Sequence, residues 1–168
     1  LNDRQSIESF KQDLQQYSLE QLRYNTGDGV WSLGQMYRHL IDVADEYLDH
    51  VEACSKACVE QPLGKSEVGE HLYEVGGFPM IRIKLPDLPG NTPDHSQNIE
   101  DLTEGLDRVV RRMIDWETRV DGISPHFKEK HEGFGWLTAR EWLELIGMHF
   151  RHHLRQKKEL EARWELFS

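Results

Sequence analysis

Between Leu33 and Cys54 an apolar side chain returns at every third or fourth position: Leu33, Met36, Leu40, Val43, Tyr47, Val51 and Cys54. An α-helix turns once in about 3.6 residues, so this spacing draws all seven onto one stripe, which other helices must cover. A strand, with its period of two, would scatter them over both faces. The start of the helix is also marked. Ser32 followed by Gln35 is a capping-box pattern, and Trp31 and Met36 are placed to close a hydrophobic staple around it. The spacing predicts a helix over 32–60.

Three further segments read the same way. Residues 3–23 carry Ile7, Phe10, Leu14 and Tyr17 at helical spacing, with Ser18 and Gln21 able to cap a restart. The turn residues Asn25 to Gly29 then stop that helix. A third helix is expected over 93–120, with Pro93 at its first position and Ile99, Leu102, Leu106, Val109, Met113 and Trp116 facing inward. A fourth is expected over 138–165, opened by a second capping box, Thr138 with Glu141, and a Leu137–Trp142 staple. Residues 61–93 differ. They hold five of the six prolines, and only Met80 to Leu85 alternates like a short extended piece. A connection this long either crosses a bundle or walls a site, and the crossover reading is favoured. The pattern is therefore all-α, a four-helix bundle with a long crossover between its second and third helices. Residues 1–168 read as a single domain.

Charge narrows the function. Thirty acidic residues against twenty basic give a formal charge of −10, and nucleic-acid affinity comes largely from Lys and Arg displacing counterions. Nucleic acid is not an expected partner, and Arg108, Arg111 and Arg112 read as the wet face of a helix. No apolar run approaches the roughly 20 residues that span a bilayer, and no signal-peptide pattern opens the chain, so no membrane partner is expected. Cys54 and Cys58, four apart on one helix face, suit buried thiols better than a disulfide. A reducing, cytoplasmic compartment is expected.

The chemistry concentrates in the last helix, at Met148-His149-Phe150-Arg151-His152-His153-Leu154-Arg155-Gln156. At about 100° per residue, His149 and His153 fall near the middle of the stripe made by Trp142, Ile146, Leu160 and Trp164. His152 lies roughly 80° away, toward the rim. Histidines at i and i+4 share a face and can converge on one cation. Neutral imidazoles pointing inward need partners, because an unpaired buried polar group costs about 1–3 kcal/mol. A metal would serve, as would a carboxylate, a water or a hydroxyl. His39 leans inward beside Met36 and Val43 on the second helix and is the third candidate.

Two stretches resemble a known family. Trp31-Ser32-Leu33-Gly34-Gln35-Met36-Tyr37-Arg38-His39-Leu40 is similar to the opening of the second helix in DinB-like proteins, where a Trp-Ser start precedes a metal-binding histidine. Gly135-Trp136-Leu137-Thr138 through Gln156 resembles the family's last conserved helix, with its His-x-x-His-His ending. The resemblance implies a four-helix bundle with a long crossover, often dimeric. It also implies a divalent metal, commonly nickel or zinc with water completing its shell, and assigns the ligands to His39, His149 and His153. Some relatives in the wider superfamily are thiol-dependent S-transferases or isomerases. The resemblance thus extends to a metal-dependent thiol S-transferase or hydrolase that takes a low-molecular-weight thiol and an electrophilic small molecule.

Other residues are weaker candidates. Glu46, Asp42 and Gln35 lie near His39 and could orient a ligand or act as a base, although solvated or helix-pairing roles are the ordinary ones. His126 and His131 could reach the mouth of the site. Gly133 and Gly135 beside Phe134 and Trp136 suggest a tight aromatic approach to the last helix. Cys54 and Cys58 lie about four turns from His39, too far to share its ion, and are expected in the core. Two rivals to an enzyme stand: a stress-related protein that binds metal or ligand without turnover, and a structural bundle whose histidines satisfy one another through water.

Overall fold

A computed structural model describes residues 3–78 and 92–167. The four long apolar stripes become α1 (Asp3–Leu14), α3 (Leu33–Lys56), α5 (Ile99–Glu117) and the pair α6 (Ala139–His152) and α7 (Leu154–Phe167). Helix α3 packs on α6 and α5, and α1 packs on the same two, which closes a four-cornered bundle. Its core runs through Phe10, Leu14, Met36, Tyr37, Leu40, Ile41, Leu48, Leu106, Val109, Trp142 and Phe150, all at most 1% exposed. Helices α3 and α5 approach closely at Gly105, where an added Cβ would lie 2.9 Å from Ile41 Cδ1. Outside the core, Arg108 and Arg112 reach Asp45 at 2.7 and 3.2 Å, and Arg112 reaches Asp49 at 2.9 Å. These arginines clamp α5 to α3.

The capping chemistry explains the starts. Ser32 Oγ accepts from Gln35 N, while Gln35 Oε1 accepts from Ser32 N at 2.9 Å. Thr138 and Glu141 form the same reciprocal pair at the start of α6. The restart after α1 is α2 (Leu19–Arg23), capped by Ser18.

Boundaries differ in informative ways. The helix expected from Pro93 begins at Ile99. Asp94 binds Ser96 and Gln97 in a turn of its own, the Pro93 carbonyl accepts from Gln35 Nε2 at 2.7 Å, and Asn98 is the actual cap. Helix α3 stops at Lys56 rather than 60, so Cys54 is buried but Cys58 is exposed, contrary to the core reading of both. The long connection holds an unforeseen helix, α4 (Glu67–Val75), capped by Ser66 and ended by Gly76 in the left-handed conformation. The extended piece expected at Met80 to Leu85 lies outside the described residues. Before α6 the chain forms an antiparallel hairpin, β1 (Lys128–His131) with β2 (Gly135–Thr138). Among the described residues, no helix is long and apolar enough to cross a membrane.

Candidate metal centre

The expected last helix is two helices joined at His153. There the backbone tightens to φ −89° and ψ −1°, and the His153 N–H is shared between the His149 and Phe150 carbonyls at 3.3 and 3.1 Å. A turn that bonds to i−3 as well as i−4 is locally wound tighter than an α-helix. The His153 carbonyl still accepts from Lys157 N at 2.9 Å, so the helical course resumes at once. His149 stands in the last full turn of α6, and the tightened turn sets the His153 ring 4.6 Å from the His149 ring.

His39, two turns into α3, completes the group. Its ring lies 5.1 Å from that of His149 and 5.3 Å from that of His153, and Trp31 packs edge-on against it at 5.2 Å. One ring nitrogen from each histidine lies within 4.8 Å of those of the other two. The three residues selected from the sequence are thus brought together by two stretches of backbone: α3, and the end of α6 with the turn that links it to α7.

The protonation states suit a cation. Burial lowers the pKa of His39, against the opposing charge of Asp42. Burial, with the neighbouring histidines adding to it, holds His149 well below 6.5. Burial brings His153 down to about 4, although its bond to Gln156 pulls the other way. All three rings are neutral at physiological pH. Gln156 Oε1 accepts from His153 Nδ1 at 2.6 Å, which leaves the lone pair of that ring on Nε2.

That lone pair faces His149 Nε2 at 3.2 Å. Two imidazole nitrogens on one tetrahedral zinc, with bonds of about 2.0–2.1 Å, stand about 3.3 Å apart, so the spacing fits a shared ion. A hydrogen bond between the two rings would also fit it. Among the described residues the buried Nε2 of His39 has no hydrogen-bond partner, and neither has the buried Nδ1 of His149. Pairing within the histidines leaves the His39 nitrogen orphaned, whereas a cation among the three gives it a partner. Imidazole donors suit zinc, nickel and other divalent ions.

A family model described as the DinB superfamily matches residues 4–156. The chain belongs to the DinB superfamily. No curated protein and no solved structure matches it significantly. The DinB-superfamily match includes all three histidines and ends at Gln156, the residue that orients His153.

The other candidates fall elsewhere. Gln35 is spent on the α3 cap and the Pro93 carbonyl. Asp42 pairs with Arg38 at 2.9 Å, and Glu46 is exposed. His126 is exposed in the loop before β1. His152 is not among the three converging residues; its half-buried ring lies 5.0 Å from Phe78 and 5.2 Å from His153. His131 approaches Tyr47, at 6.1 Å between rings. Sequence reasoning missed the role of Gln156. Its signal was the i+3 spacing from His153, which puts the two side chains on adjoining turns of one face.

Proposed function

We propose that this chain binds one divalent cation through His39, His149 and His153, and that it is a metal-dependent thiol S-transferase or hydrolase. The observation that carries the reading is the buried, partnerless Nε2 of His39 beside two neutral imidazoles whose nitrogens stand 3.2 Å apart. Zinc or nickel held there supplies a Lewis acid that lowers the pKa of a thiol or of water toward neutrality. The residues of the chain do the rest. Three neutral ligands leave the full double charge uncompensated, Gln156 fixes the donor face of His153, and Trp31 covers one side of His39. The family resemblance adds a low-molecular-weight thiol, an electrophilic small molecule and a homodimer to this proposal, and the two free cysteines add a cytoplasmic setting.

A second reading has an observation in its favour. Asp42 and Glu46, the carboxylates expected near His39, are paired with an arginine and exposed to solvent respectively, and Gln35 is tied into a cap. With neither carboxylate poised as a base, the site suits a protein that captures metal or ligand without turnover, as a stress-related binding protein would.

Metal content decides the first question. Protein purified without a histidine tag or added metal is expected to carry, or take up on titration with zinc or nickel, about one ion per chain. His39→Ala and His149→Ala/His153→Ala should lose it. No uptake by the wild type would overturn the proposal. With metal established, thiol-dependent turnover of an electrophile separates the transferase from the binding protein.

A further inference from the structure

The hairpin and α4 contribute none of the three histidines, yet both are fastened beside them. Ser66 N donates to the Phe134 carbonyl at 2.9 Å, Ser66 Oγ donates to the Gly133 carbonyl at 2.9 Å, and Trp136 N donates to the Gly64 carbonyl at 3.1 Å. The fit is close. A Cβ on Gly69 would lie 2.2 Å from the Phe134 carbonyl oxygen, and Gly135 holds φ at +81° with Ser66 N 2.4 Å from where its Cβ would be. Side chains other than hydrogen are excluded at both positions, so the start of α4 and the tip of the hairpin form one tightly built unit.

That unit carries aromatic rings toward His149. Starting from His149, the centroids run to Phe78 at 6.0 Å, Phe134 at 5.6 Å, His131 at 4.3 Å, Tyr47 at 6.1 Å, and back to His149 at 6.1 Å. The circuit closes. Among the described residues no ring contact crosses it, and Tyr47 and His149, each 8% exposed, are its buried members. Trp142 supports it from beneath, 5.4 Å from Tyr47 and 5.5 Å from His131. Phe78, His131 and Phe134 are only half-buried, unlike the core rings of Phe10, Tyr37 and Phe150. His131 is locked in place, stacked on Phe134 and accepting through Nδ1 from the backbone N–H groups of Gly133 and Phe134.

We propose that Phe78, Phe134, His131 and Tyr47, with His149 as the fifth wall, form a binding site for a planar aromatic group set against the three-histidine cluster. Rings meeting at angles offer both faces and edges to a planar guest, the arrangement aromatic pairs prefer. A quaternary ammonium is the other guest that such walls attract. It is disfavoured here because two of the five walls are imidazoles and one of them belongs to the proposed cation site, whose charge would repel it. That the aromatic group is part of a substrate rests on the function proposed above; the binding site itself does not.

The test uses the full chain after chelator treatment, with fluorine NMR of 4-fluorobenzyl alcohol as the probe and 6-fluorohexan-1-ol as its aliphatic counterpart. Saturable binding of the aromatic probe is expected, at least tenfold tighter than that of the aliphatic one. Phe134→Leu, which keeps apolar bulk and should fold as judged by circular dichroism, is expected to weaken it at least fivefold. His39→Ala, outside the circuit, should abolish zinc uptake. Equal binding of both probes, an unaffected Phe134→Leu, or displacement by tetramethylammonium at lower concentration than by benzyl alcohol would overturn the proposal. Zinc uptake without probe binding would refute the aromatic site alone, and probe binding without zinc uptake would refute the metal centre alone.

Discussion

Lowering the pH of the metal-free protein from 7 to 5 should destabilise it by at least about 2 kcal/mol, and His153 should account for most of the part that can be calculated. In the folded chain its pKa is about 4 because burial disfavours the charged ring, while in the unfolded chain it returns to the ordinary 6.5. Above 6.5 both states hold the ring neutral and the residue adds no pH dependence. Below 6.5 the unfolded chain takes a proton that the fold refuses, so stability falls with pH until the folded pKa is reached. Each pH unit in that window is worth about 1.4 kcal/mol for one histidine. The interval from 6.5 to 5 therefore costs about 2 kcal/mol, and the whole window down to 4 about 3 kcal/mol. His149 and His39 are shifted the same way and can only add to the loss. Asp28 and Asp94 have lowered pKa values and titrate below this range, so they do not confuse the reading at pH 5. Urea unfolding in the presence of a chelator, followed by tryptophan fluorescence, measures it. With a slope of about 1–3 kcal/mol per molar, a loss of this size moves the midpoint by about 1 M. His153→Gln, neutral at every pH, should remove about 2 kcal/mol of the dependence between pH 7 and 5. Parallel pH profiles for wild type and His153→Gln, or a wild type as stable at pH 5 as at pH 7, would refute the claim that His153 is buried and neutral.

Three further outcomes are expected. His39→Leu removes a buried nitrogen that has no partner, so in chelator the melting temperature should hold or rise while zinc binding disappears; a clear drop would mean that His39 is satisfied in the apo fold. Lys157, 4% exposed, holds Asp13 and Glu161 at 2.5 and 3.3 Å. Because its carboxylate partners are partly solvated, Lys157→Met should cost about 2 kcal/mol in urea unfolding rather than the 3–5 of a fully buried pair, and a neutral result would show the lysine to be dispensable. Thr138→Ala breaks one arm of the α6 capping box and should cost about 1 kcal/mol by thermal melting; no change would mean that the tertiary contacts of α6 alone set its start.

The helices legible in the sequence were those whose start was written in side chains. Ser32 with Gln35 and Thr138 with Glu141 mark α3 and α6 because the cap satisfies N–H groups that every helix leaves open. Pro93 misled for a related reason. Proline tolerates the first helical position without requiring it, and here Asp94 drew the following residues into a turn before Asn98 could cap α5. Helix α4 was hidden by its surroundings. Nine residues among prolines and glycines carry too short a stripe to read, although Ser66 and Gly76 bound it as a cap and a left-handed stop. The hairpin was less visible still, since its strands are four residues each and its seat against α4 depends on contacts such as Ser66 with Phe134 between distant segments.

The site divides along the same line. His149 and His153 were legible because helical geometry alone puts i and i+4 side by side, whereas the ring of His152, expected toward the rim, lies 5.2 Å from that of His153. That they share a space with His39 depends on how α3 and α6 are offset along the bundle, which no periodicity records. The break at His153 matters for the same reason. A continuous helix fixes the relative direction of residues four apart, and one tightened turn, sharing its N–H between two carbonyls, re-aims the second ring. Gln156 then locks that ring from the next turn, so the donor set is held by a local irregularity and one side-chain amide. The two features a strict 3.6-residue reading averages away, the turn at His153 and the hairpin that brings Phe134 and His131 toward His149, are the two on which the proposed metal centre and the proposed aromatic site rest.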